Sequence, residues 1–200
     1  MDPRDETSTG RQADGPTGTA RHRRALWRGF RRREDGSVAI EFTLLVIPFT
    51  LMVFAVLESC LSFAGQQILA SAVDDMARQF RTGQVRPAHL VLDPGLVRKK
   101  ICARIEIVVT TGCPGLEVDL KSYDTFAEAA AIRTRFTENG DIDTTGFGIV
   151  PGKSGSKNQL RVFYRWPVMT DLARKAVSNL PDGKTLLFAS VTWQNEPFDD

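Results

Sequence analysis

One stretch decides what this chain can become. From Phe42 to Leu57 sixteen residues carry no charge, and extending back to Ser37 gives 21 with a single acid, Glu41. At about 1.5 Å of rise per residue the longer stretch covers about 30 Å, the hydrocarbon thickness of a bilayer. Elsewhere the apolar runs, such as the one around Ile105 to Val109, are far too short to span. A single membrane crossing is therefore expected over residues 37–60. Just before it, seven Arg fall between Arg21 and Arg33, with Leu26, Trp27 and Phe30 interleaved. Arg mixed with aromatics also marks nucleic-acid-binding arms. Here the cluster abuts an apolar run, where it acts as a topology signal, so the lipid bilayer and no nucleic acid is the expected partner. The positive-inside rule keeps residues 1–36 in the cytoplasm and sends residues 60–200 across.

Composition supports this division. Residues 1–36 hold nine Arg, no Lys and six acids, whereas the chain as a whole has a net charge of only +2. A basic leader is thus joined to a nearly neutral body. The first twenty residues carry one large aliphatic side chain, Met1, and cannot bury enough surface to fold, so the leader is expected to be disordered. Over the whole chain, 42% hydrophobic and 25% charged residues exclude a wholly disordered or polytopic chain.

Glu41 is the oddity. An ionisable group in an apolar segment costs about 2.5–3.5 kcal/mol when central and marks function by default. Near one end, snorkelling is the competing explanation. The surrounding string Gly36-Ser37-Val38-Ala39-Ile40-Glu41-Phe42, preceded by basic residues, resembles the processing site of type IV pilins and pseudopilins. More narrowly, GSVAIEFTLLVIPF resembles the amino-terminal signature of the TadE-like pilus assembly proteins of the tight-adherence (Flp pilus) secretion system. Pro48, seven residues after Glu41, and the closing Asn195-Glu196-Pro197-Phe198 are similar to that family too.

The resemblance implies a non-enzymatic, pseudopilin-like component in the bacterial inner membrane, with a cytoplasmic N-terminus and a periplasmic head. It implies a prepilin peptidase, other pilus assembly proteins and pilin subunits as partners. Gly36 and Ser37 would form the processing site, since Gly offers no side chain to obstruct a peptidase. Glu41, Phe42 and Pro48 would serve subunit packing, the Glu41 carboxylate meeting a neighbour's free amine and offsetting the burial of both charges. Pro48 removes a helix hydrogen bond, which is tolerated better in a bilayer than in water.

Past Leu57 the helical pattern continues. Leu61, Ala64, Ile68, Ala72 and Met76, with Leu69, Val73 and Phe80 on an adjacent row, recur at three- and four-residue steps toward an end near Gly83. A helix over 38–81 would be about 65 Å long. It is similar to a pilin spine and equally compatible with an amphipathic helix packed on its own domain. Leu57-Glu58-Ser59-Cys60 has a lipobox outline, spoiled by Glu beside the cut and by its depth in the chain. Ser62-Phe63-Ala64 has the small-x-small form of a signal-peptide site, after an overlong leading region.

The expected domain plan is a leader over 1–36, a transmembrane helix over 37–60, its continuation over 61–83, and an exported head over 84–200. In the head, Leu96 to Val109 reads as a helix or helix-to-strand transition. LEVDLKSY (Leu116 to Tyr123) alternates with period two and reads as a strand; FAEAAAIRTRF reads as a helix, and residues 137–158 as a loop. Strands over Gln159–Trp166 and Thr185–Gln194 flank a short helix around Asp171 to Ser178. Without a regular βα repeat, these elements point to α+β with a short antiparallel sheet.

Cys102 and Cys113 lie eleven residues apart and, on the expected topology, outside the cytoplasm, where disulfides persist. A bridge is expected, with two reduced core thiols as the alternative. Cys60 reads as a small apolar residue. No catalytic, cofactor or metal site is expected. His22 lies among the Arg residues, His89 has no metal-ligand spacing around it, and Gly152-Lys153-Ser154 lacks the first Gly of a phosphate-binding loop. Asp74-Asp75 and Asp141 with Asp143 fit solvated faces and turns better than acid/base pairs or calcium ligands. The competing class is an anchored envelope protein whose exported head binds a ligand or partner.

Overall fold

The structure is a computed structural model, describing residues 35–170, 174–175 and 178–198, with side chains from residue 38 onward. The expected leader, apart from its last two residues, and part of the short helix expected around Asp171 lie outside the described residues. The architecture is α+β: a long apolar helix, then a small head around one four-stranded sheet.

Helix α1 runs over Asp35–Arg81 without interruption, 47 residues including Pro48. It ends where the chain turns left-handed at Gly83, φ +71°, a conformation Gly adopts without a side-chain clash. There the Gly83 amide donates to Phe80 O (3.1 Å) and the Val85 amide to Gln79 O (3.0 Å). The chain end completes this cap. Phe198 packs its ring on Gly83, where an added Cβ would meet ring carbon at 2.8 Å. Glu196 donates its amide to Arg81 O (2.9 Å), and the Arg86 guanidinium lies 5.6 Å above the Phe198 ring. Asn195 accepts from the Trp193 indole (2.8 Å) and donates to Gly152 O and Lys153 O. The closing Asn-Glu-Pro-Phe segment thus satisfies and covers the end of α1.

Two short helices follow, α2 over Pro87–Leu92 and α3 over Leu96–Ile105. The first is not evident from the sequence pattern. It places His89 on a helix, its Nδ1 accepting from the Arg86 amide at 3.2 Å. In α3, Val97, Ile101, Cys102 and Ile105 are buried, the spacing of one helix face. Strand β1 (Leu116–Tyr123) occupies the residues expected of it. Helix α4 (Phe126–Ala131) is short: Thr125 Oγ1 caps it by accepting from Glu128 N, and Ile132 is already extended. The expected loop contains a two-residue strand, β2 (Ile149–Val150). The long strands β3 (Lys157–Pro167) and β4 (Lys184–Gln194) complete the set.

The sheet order is β2-β1-β3-β4. β1, β3 and β4 pair antiparallel, as expected, while β2 joins β1 in parallel and makes the sheet mixed. Registers Leu116↔Tyr164↔Leu187 and Val118↔Val162↔Ala189 put one apolar row against the helices. Leu69, Val73, Met76 and Phe80 of α1, with Val97, Ile101 and Ile105 of α3, close the core on that face. On the opposite face Phe163 lies between Phe147 (5.4 Å) and Phe188 (4.8 Å). β3 is buried on both faces, so its seven consecutive buried residues follow from its central place in the sheet.

Candidate functional site

The expected site residues fall on the first turns of α1. Gly36 and Ser37 lie in its first turn, and Glu41 follows Ser37 by four residues, one helical turn. Glu41, Phe42 and Pro48 are all exposed, Phe42 by 66%. So are Val38, Ile40, Leu44, Leu45, Phe49 and Met52, leaving apolar groups facing outward in every direction around the helix. Such a surface is unstable in water and needs lipid or other protein against it. Helical residues from Val38 onward include an 18-residue window of mean hydropathy 2.4, long and apolar enough to cross a membrane. Within this segment Thr43 Oγ1 donates back to Ala39 O (2.7 Å), so its hydroxyl is satisfied without water. Pro48 has no amide to give the Leu44 carbonyl.

Burial begins at Glu58. This residue is 8% exposed, and its carboxylate accepts from the backbone amides of Met169 and Thr170 and from the Thr170 hydroxyl. Two turns on, Gln66 reads the backbone of edge strand β4 at both atoms. Its Nε2 donates to Phe188 O (2.8 Å), and its Oε1 accepts from Phe188 N (3.3 Å). Between them Gly65 leaves bare backbone under the Trp166 ring. The contact face of α1 is therefore Glu58, Gly65, Leu69, Ala72, Val73, Met76, Ala77 and Phe80. Leu61 and Ala64, expected on the buried stripe, are exposed, and Ile68 is only partly covered. Sequence reasoning misses Glu58, Gly65 and Gln66 as functional positions. The available signal is a second acid interrupting an apolar run at Glu58.

Cys102 and Cys113 form a disulfide with Cα atoms 5.7 Å apart, tying the end of α3 to the turn before β1. Arg98 holds the same turn, donating to Cys113 O (3.0 Å) and to Leu116 O. The two sulfurs lie near Glu106, but bonded to each other they offer no thiolate to a metal. Cys60 is unpaired and exposed. Three of the candidate acids have structural partners: Asp75 pairs with Arg104 (3.1 Å), Asp141 with Arg165 (3.0 Å), and Asp143 accepts from Thr145 N (2.9 Å). The Arg165 guanidinium, hydrogen-bonded to Asp141, holds that carboxyl below its ordinary range despite partial burial. Beneath the sheet's second face, Asp119 and Arg161 form a buried pair, 1% and 8% exposed at the side chains.

No curated protein and no solved structure matches the chain. The family model described as TadE-like protein matches residues 36–78, about a fifth of the chain. The matched residues begin at Gly36, include Glu41, Phe42 and Pro48, and end beside the buried positions Met76 and Ala77, so this chain carries a TadE-like segment over 36–78.

Proposed function

We propose that the protein is a non-enzymatic, single-pass, pseudopilin-like component of a bacterial tight-adherence (Flp/type IVb) pilus assembly and secretion system. The observation that carries this reading is the coincidence of the TadE-like match with a helix whose outward apolar surface has no cover among the described residues. In this reading residues 37–60 cross the inner membrane. The basic leader, residues 1–36, stays in the cytoplasm until a prepilin peptidase cuts between Gly36 and Ser37, and the head (84–200) lies in the periplasm. Ser37 then carries a free amine. Glu41, one turn away, supplies the carboxylate that a neighbouring subunit's amine meets, with Phe42 and Pro48 shaping the packed surface. Pilin subunits and other pilus assembly proteins are the partners, and lipid is the surroundings before assembly. The disulfide accords with an oxidising compartment for the head.

Two measurements test this. A reporter that fluoresces only in the cytoplasm should be bright when fused before Arg21 and dark when fused after Asp200; the reverse pattern ends the topology. Sequencing the mature amino terminus should find Ser37. A chain that keeps residues 1–36 removes the processing claim. A second reading, an anchored envelope protein whose exported head binds a ligand or partner, is favoured by a basic cavity on the head.

A further inference from the structure

The face of the sheet turned away from α1 carries a cavity of about 350 Å³ whose charged lining is mostly cationic. Lys121, Arg133, Arg135 and Arg161 border it, against one acid at the rim, Asp143. Arg161 is built in. It is 7% exposed, its Nε and Nη2 both donate to Asp119 Oδ2, and its guanidinium stacks 5.6 Å above the Phe147 ring. Asp119 is fixed in turn by the Gly148 amide (3.1 Å). Nη1 of Arg161 donates to no group among the described residues. Lys121 bonds Gly146 O (2.6 Å) and lies 3.6 Å from Asp119. Arg133 and Arg135 are exposed at the cavity border, and the hydrogen bonds from Thr145, followed by the Arg135 charge, hold the Asp143 carboxyl below its ordinary range.

Counting Asp119 behind the wall, four cations face two acids. A concave surface with an excess of fixed positive charge focuses potential and draws anions. The shape narrows the class of anion. A lone oxyanion fills only a small part of such a volume, and the uncharged lining is apolar apart from Thr145: Ala131, Phe147 and Ile132, which is 40% exposed. An aromatic ring beside a pre-positioned Arg suits a carboxylate carried next to an apolar group.

We propose that this cavity docks an acidic segment of a partner protein, a Glu or Asp carboxylate meeting Arg161, Arg133 and Arg135 while an apolar neighbour packs on Phe147 and Ile132. Asp119 acts as a positioning residue, holding the Arg161 fork in place before the partner arrives. None of the cavity residues lies in the 36–78 segment, so failure here leaves the assembly role untouched.

The test uses the full chain in a neutral detergent and a fluorescent six-residue peptide of alternating Glu and Phe, followed by anisotropy at low ionic strength. The peptide should bind, and Arg133→Ala/Arg135→Ala should weaken it by about tenfold or more and flatten its salt dependence. Both arginines are exposed, so the variant should fold. Lys100→Ala/Lys153→Ala, which removes two exposed lysines outside the cavity, should leave affinity within about twofold. Equal weakening by the two double variants means generic charge attraction and overturns the site, as does absence of binding. Displacement by inorganic phosphate at concentrations below the peptide's own Kd assigns a free oxyanion and overturns the peptide occupant.

Discussion

The indole of Trp166 lies on Gly65, so close that a Cβ on that glycine would meet ring carbon Cζ3 at 2.6 Å. Gly within a helix costs about 1 kcal/mol relative to Ala, so α1 accepts a local weakness to let the end of β3 approach its backbone. Gly65→Ala should therefore lower the thermal midpoint of the full chain in detergent, against helix propensity, by an overpacking penalty of about 1–3 kcal/mol. Adding Trp166→Leu should restore part of the loss, and a Gly65→Ala chain as stable as wild type would show that the ring does not sit there.

The Cys102–Cys113 bridge closes a short loop beneath the core, where both cysteines are buried. Chain-entropy reasoning gives about 2–3 kcal/mol for a closure this short. Cys102→Ser and Cys113→Ser should each shift the denaturation midpoint by about that amount, and a reductant should bring wild type to the same place. In unreduced protein, alkylation should label Cys60 alone, since it is exposed and unpaired; three labelled thiols would exclude the bridge.

Asp119 and Arg161 sit opposite one another on β1 and β3 with almost no access to solvent. Removing one member leaves an uncompensated buried charge, so Asp119→Ala should cost about 3–5 kcal/mol. Replacing both, as Asp119→Leu/Arg161→Met, should recover most of that in chemical denaturation. If the double variant is as damaged as the single, the pair is not the source of the penalty.

Gly36 and Glu41 have separable roles in the proposed assembly function. Gly36→Val puts a branched side chain at the scissile bond and should leave the full-length chain in the membrane, heavier by the 36-residue leader. Glu41→Ala should be trimmed normally yet fail to support pili. Its insertion should be easier because an ionisable group has left the hydrocarbon, so poor insertion cannot explain the defect. Full piliation with a trimmed Glu41→Ala chain would make Glu41 a snorkelling residue.

What the amino-acid sequence determined by itself was whatever depends on near neighbours. The long helix, its stop at Gly83 and the strand over Leu116–Tyr123 follow from local patterns, and the structure has all three. The α+β class follows from such elements and their order. Partners distant along the chain were decided only by tertiary packing. The buried face of α1 is an example: periodicity permits Leu61 and Ala64 inside, but the head reaches this part of the helix along the row from Glu58 through Gly65 to Leu69, which leaves Leu61 and Ala64 outside. Glu58 looks like an intruder in an apolar run because Met169 and Thr170, which supply its donors, lie 111 and 112 residues away. Asp119 and Arg161, 42 residues apart, are ordinary polar positions on two strands until register sets them face to face in a dry layer. The cationic cavity has the same origin, since β1, β3 and the segment after α4 each contribute cations that no window of sequence brings together.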